Sequence, residues 1–105
     1  MLQLRDAEII RDGGSYWVEV SEGTKCLCFL LQVRSWDKPE DRSYRSIFLG
    51  EESDMNTIRE NGRCLSSGER KYWLEKLRVD IDVSDASENA QERYQEFLLN
   101  FASLD

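Results

Sequence analysis

The chain has no histidine among its 105 residues. That removes the usual activator of a cysteine nucleophile and half of the ordinary zinc ligand set. Cysteine itself is scarce, with Cys26, Cys28 and Cys64 making an odd count of three. An odd count fits free thiols in a reducing compartment better than a disulfide framework. Cys26 and Cys28 stand two apart in a strand-like stretch, near the upper limit of Cα separation for a bridge. With a single Cys-x-Cys and a distant Cys64, the four ligands of a zinc site are not in view, and all three read as buried thiols behaving as small hydrophobes. The sequence predicts no cofactor and no metal.

Long apolar runs are also missing. The longest, Cys26 to Leu31, has six residues, against the roughly 20 that a membrane-spanning helix requires. The start of the chain meets Arg5 and Asp6 with no apolar segment of the secretory kind, so the expected location is cytoplasmic and away from membranes. No Gly-x-Gly-x-x-Gly and no lysine-bearing phosphate loop follows a strand-like stretch. There is no internal repeat and no low-complexity segment. A chain of this length suits one domain, residues 1–105, with one core.

Positive charge is what the second half lacks. Residues 1–50 carry 7 basic and 8 acidic side chains, whereas 51–105 carry 7 basic and 13 acidic. Residues 80–105 alone hold seven acids against the single Arg93, a net of −6 in a chain whose total is −7. Such a surface repels nucleic acid, which binds through cations that replace its counterions. Direct nucleic-acid binding is therefore excluded from the expectation.

Hydrophobic periodicity predicts an α+β domain: an antiparallel meander sheet of four to five strands, a short helix, and a C-terminal amphipathic helix packed on one face. Residues 2–12 change parity between Leu2/Leu4 and Ala7/Ile9, as a strand with a bulge near Asp6 would. Tyr16, Val18 and Val20 point one way, Trp17 and Glu19 the other. From Lys25 to Ser35 both parities are apolar, which places this strand in the middle of a sheet covered on both sides. One cover is the terminal helix. The other is Trp17, Trp36 and the middle of the chain, or a second molecule. After the charged loop around Pro39, residues 43–49 return as a fourth strand. Residues 51–68 read either as a short helix through Met55, Ile58 and Arg59 or as a long loop. Residues 67–77 read as a short helix, and 77–83 alternate, predicting a strand with Val79, Ile81 and Val83 buried and Arg78, Asp80 and Asp82 exposed. Ser84 or Asp85 is the expected cap of the last helix.

That helix has two unlike faces. Ala90, Tyr94, Phe97, Leu98 and Phe101 recur at core spacing. Glu88, Glu92 and Glu96 recur every fourth residue on the far side, and Leu99 falls about 20° from Glu88, inside the acidic stripe. An apolar centre with a charged rim is the composition of a docking site that steers a basic partner, although Glu on an outer helix face also serves ordinary solubility.

Other constellations fail on inspection. Asp80, Asp82 and Ser84 have the spacing of the first ligands of a calcium loop, but Asp85 stands where glycine is needed and Gln91 where a bidentate Glu belongs. Glu69-Arg70-Lys71 matches a metal-nuclease tripeptide yet opens a helix rather than closing a strand. The chain is accordingly expected to be a non-enzymatic acidic module that binds and blocks a basic protein, as an immunity protein or inhibitor of a nucleic-acid-acting toxin or enzyme would. The contact residues would be Glu88, Glu92, Glu96 and Leu99, extended by Asp80, Asp82 and Trp17. The alternatives are a homodimeric adaptor joined through the second sheet face, with Trp17 and Trp36 at its edge, and a small carboxylate- or metal-dependent enzyme.

Overall fold

Alternating stretches at the start of the chain build a meander, seen in a computed structural model that describes residues 1–11, 14–32, 46–51 and 55–104. Strands β1 (Leu2–Arg11), β2 (Ser15–Glu22) and β3 (Lys25–Gln32) pair antiparallel in order, and β4 (Ser46–Gly50) continues on β3. The parity change in β1 has its cause where the sequence put it. The register slips between Leu4 and Asp6, so Arg5 is an extra residue and Leu2, Leu4 and Ala7 all reach the same core. A second slip lies between Ile9 and Arg11. The β2–β3 connection is only Gly23-Thr24, because Glu22 pairs with Lys25. Gly23 takes φ 64°, a value that L side chains rarely adopt and that two-residue hairpin loops require.

The sheet does not stop at the meander. After helix α1 (Met55–Asn61) comes the two-residue β5 (Arg63–Cys64), then helix α2 (Ser67–Val79), the two-residue β6 (Ile81–Asp82) and helix α3 (Glu88–Ala102). The strand order is β5-β4-β3-β2-β1-β6, with β6 parallel to β1 through Leu2↔Ile81 and Gln3↔Asp82. The expected α+β class is present, but the sheet has six strands and is mixed rather than purely antiparallel. Helix α2 makes the difference: it carries the chain from one edge of the sheet to the other, where β6 can only run parallel to the first strand.

The alternation at 77–83 is corrected by the same helix. Ser66 and Glu69 form a reciprocal capping box, and the helix so started runs on to Val79. Leu77 is fully buried while Val79 is 78% exposed. Leu77 belongs to the helix period and Ile81 to the strand, and their spacing imitates one continuous alternation. The cap of α3 is likewise neither Ser84 nor Asp85 but Ser87, whose hydroxyl accepts the Ala90 N–H at 3.1 Å.

The two faces of the sheet are covered very differently. On one, Val18, Val20, Phe29, Leu31 and Ile47 pack under α2 and α3 with Phe97, Phe101 and Leu77. Phe29 meets the Trp73 ring edge-on at 5.4 Å and lies 6.4 Å from Phe97. On the other, Trp17, Cys28 and Leu30 form a smaller cluster with Ile58 of α1. Helix α1 sits close because glycines flank it: a Cβ on Gly50 would stand 2.8 Å from Ile58 Cγ1, and one on Gly62 only 2.3 Å from the Ile58 carbonyl oxygen. Trp36 lies outside the described residues.

Candidate functional site

The acidic helix is held rigidly by its inner face. Ala90, Tyr94, Phe97, Leu98 and Phe101 are all buried. The Tyr94 phenol donates to the Leu77 carbonyl in the last turn of α2, satisfying a group that has no partner within that helix. Burial pushes the Tyr94 hydroxyl well above its usual pKa. At the other end, the Gln91 amide donates to the carbonyls of Val83 and Ala86, each at 3.0 Å. This clamps the incoming turn to the helix.

On the outer face Glu88 and Glu92 are exposed and Leu99 is 72% exposed. From Glu88 to Leu99 the stripe runs about 16 Å along the axis. Among the described residues, no cation pairs with Glu88 or Glu92. Glu96 differs: Arg93 reaches both its carboxylate oxygens at 3.5 Å, so the one basic group of the region turns to the flank. Val83, Glu88, Gln91, Glu92 and Gln95 line a shallow depression of about 300 Å³, which brings the end of the preceding turn onto the helix face.

The other expected contact residues part ways. Asp80 is the exposed C-cap of α2, where the negative end of the helix dipole disfavours a carboxylate. Its N–H closes the last turn onto the Lys76 carbonyl at 2.9 Å, while its exposed carboxylate adds negative charge to the surface. Asp82 is only half exposed, and its carboxylate accepts the Ser84 N–H at 2.9 Å. That bond holds its carboxyl below the usual range and commits it to the local turn. Trp17 is 6% exposed within the cluster under α1. It fills the covering role on the second sheet face and offers no surface for a partner to grip.

In one other region, opposite charges meet in pairs. A groove of about 520 Å³ between the β3–β4 end of the sheet and α2 is lined by Lys25, Glu51, Arg63, Trp73 and Lys76 among others. Lys25 pairs with Glu51 at 2.9 Å and Lys76 with Glu22 at 2.6 Å; Arg63 reaches Glu69 at 2.9 Å. The Lys76 ammonium also stands 5.3 Å from the centre of the Trp73 ring.

A second arrangement lies on the β2–β3 hairpin, and the sequence reading missed it. The hairpin register sets Glu19 opposite Cys28 and Ser21 opposite Cys26. Glu19 therefore faces Cys28 directly and Cys26 on the diagonal, all on the α1 side of the sheet. The Cys26 thiol donates to Glu19 Oε1 at 3.1 Å, and the two sulfurs are 3.9 Å apart, too far for a bond. Cys28 is fully buried, and burial pushes its thiol up to about 12; Cys26 is raised by burial and by the Glu19 carboxylate. Cys64, expected to be buried, is exposed. The signal for the trio was available, since a two-residue turn at Gly23-Thr24 fixes which residues oppose one another. A search by zinc-motif spacing passes over it.

Comparison of the chain with protein-family models, with curated proteins and with solved structures gives no match. Among the described residues, no helix is long and apolar enough to cross a membrane.

Proposed function

We propose that this chain is a small acidic interaction module that binds a basic protein and blocks it, as an immunity protein or other inhibitor of a nucleic-acid-acting toxin or enzyme does. One observation carries the reading: Leu99 stands 72% exposed in line with Glu88 and Glu92, carboxylates that no cation among the described residues neutralises. Carboxylates kept free of internal partners produce a field that attracts a basic surface and can fill a site shaped for phosphate. The exposed leucine supplies an apolar centre that loses water on contact. Asp80, placed against the dipole of its own helix, extends the same field.

The test is capture from native extract at low and high salt, followed by identification of what is bound. A basic protein retained at low salt, released at high salt, and lost with Glu92→Lys plus Glu96→Lys is the expected result. Recovery of the chain alone, at the mass of a dimer in light scattering, would favour the adaptor reading instead.

A further inference from the structure

We infer that Glu19, Cys26 and Cys28 form a binding site for one thiophilic divalent cation, zinc in the first place, on the α1-facing side of the β2–β3 hairpin. This goes beyond the acidic-face reading and does not depend on it. Among the described residues these three side chains are the one group of acid and thiol ligands that converges, with all three ligand atoms within 4.8 Å of one another.

The geometry fits the ion. Zinc takes thiolate sulfur at about 2.3 Å and carboxylate oxygen at about 2.1 Å, so a tetrahedral site puts two sulfurs about 3.8 Å apart and a sulfur and an oxygen about 3.6 Å apart. The observed separations are 3.9 Å between the sulfurs and 3.1 Å between Cys26 Sγ and Glu19 Oε1. The first already matches an edge of the tetrahedron; the second, and the edge between Cys28 Sγ and the Glu19 carboxylate, which lies within 4.8 Å, require a rotation of the glutamate. Paired central strands hold these atoms, with the register fixed on both sides of the site from Glu22↔Lys25 through Ser15↔Gln32.

The chemistry of the donors points the same way. Among the described residues, the half-buried Glu19 carboxylate receives a hydrogen bond only from the Cys26 thiol, and S–H is a weak donor. So weak a donor leaves most of the acceptor capacity of the carboxylate unused by the protein among the described residues. A cation between the three groups replaces that weak bond with ligation. On binding, each thiol releases its proton to solvent, two protons per ion, and the two thiolates and the carboxylate become ligands. Two soft sulfurs and one oxygen select zinc or cadmium over magnesium or calcium, which take all-oxygen sites. Three protein ligands leave the fourth position of a tetrahedral ion to water or to a small external donor.

The experiment uses the whole chain, reduced with a phosphine, titrated with Co²⁺ and Cd²⁺ as spectroscopic probes and with Zn²⁺ in competition. A thiolate-to-metal charge-transfer band that saturates at one equivalent and is displaced by Zn²⁺ is the expected result. Cys26→Ser, at a partly exposed position, should weaken binding by more than the roughly 10- to 100-fold that losing an outer partner of a ligand costs. Glu19→Gln should weaken it less while leaving the charge-transfer band in place. Cys28→Ala tests the buried ligand without adding a hydroxyl to the core, and circular dichroism confirms the fold of each variant. Cys64→Ser should bind as the wild type does. Absence of the band in the wild type at one equivalent, its survival in Cys26→Ser, or its loss in Cys64→Ser would each overturn the assignment.

Discussion

The two faces of the sheet answer different needs. The face under α2 and α3 is deep, aromatic and continuous, with Phe29, Tyr94, Phe97 and Phe101 all buried to within 2%. The face under α1 is thin, formed by Trp17, Cys28, Leu30 and Ile58, and it carries the thiol–carboxylate trio at its margin. Stability comes mainly from the first. The second combines a small cover with polarizable and ionisable groups.

Paired truncations would sharpen that contrast. Phe97→Ala should cost about 3–5 kcal/mol in denaturant unfolding, because rings from the sheet and from both sides of its own helix surround the cavity it leaves. Ile58→Ala removes a buried side chain from the thin cover and should fall near the lower end of the roughly 2–5 kcal/mol range for such changes, since a seven-residue helix can settle into the space. An equal or larger loss for Ile58→Ala would show that the second face bears as much of the fold as the first. Tyr94→Phe should cost less again, about 1–2 kcal/mol, by leaving the buried Leu77 carbonyl without its donor.

The smallest effect belongs to the surface. Lys76 holds the Glu22 carboxyl below its usual range, and Glu22 holds the Lys76 ammonium above its own. A carboxyl depressed on folding stabilises above its unfolded pKa, and that contribution disappears as pH falls through the folded value. An ammonium raised on folding stabilises below its unfolded pKa and stops doing so as pH rises through the folded one. Glu22→Gln should therefore lower the melting temperature slightly at neutral pH and leave it unchanged in strong acid, with the difference shrinking as salt is added. A difference that persisted in strong acid would mean that Glu22 contributes through packing.

Much of this architecture was legible in the sequence because local patterns governed it. The parity switch at Asp6, the two-sided apolarity from Lys25 to Gln32 and the five core positions of α3 each follow from a period that one element imposes on itself. What could not be read depends on distant partners. A two-residue β6 has no period of its own, and its parallel pairing with Leu2 and Gln3 arises only because α2 crosses the sheet. The exposed Val79 and buried Leu77 show how a helix end can pass for a strand. Trp17 was placed on the correct side by alternation, but its burial needed α1, which the sequence left undecided between helix and loop. The Glu19–Cys26–Cys28 trio was hidden for another reason: its members are joined by register across a hairpin rather than by spacing along the chain.

The brevity of β6 has a further consequence at the sheet's edge. Among the described residues it pairs only with Leu2 and Gln3, and no other described strand covers the rest of that side of β1, which spans ten residues; such a margin is one to which another chain can add a strand. The two register slips break the regular ladder of β1, and Arg5, Asp6 and Glu8 put charge of both signs along it. A stacked copy would meet a kinked rail with mismatched hydrogen bonds and charges to be desolvated. The same bulge that brings Leu4 and Ala7 into one core is of the kind that discourages edge-to-edge pairing of strands, and deleting Arg5 is expected to raise the apparent mass in light scattering.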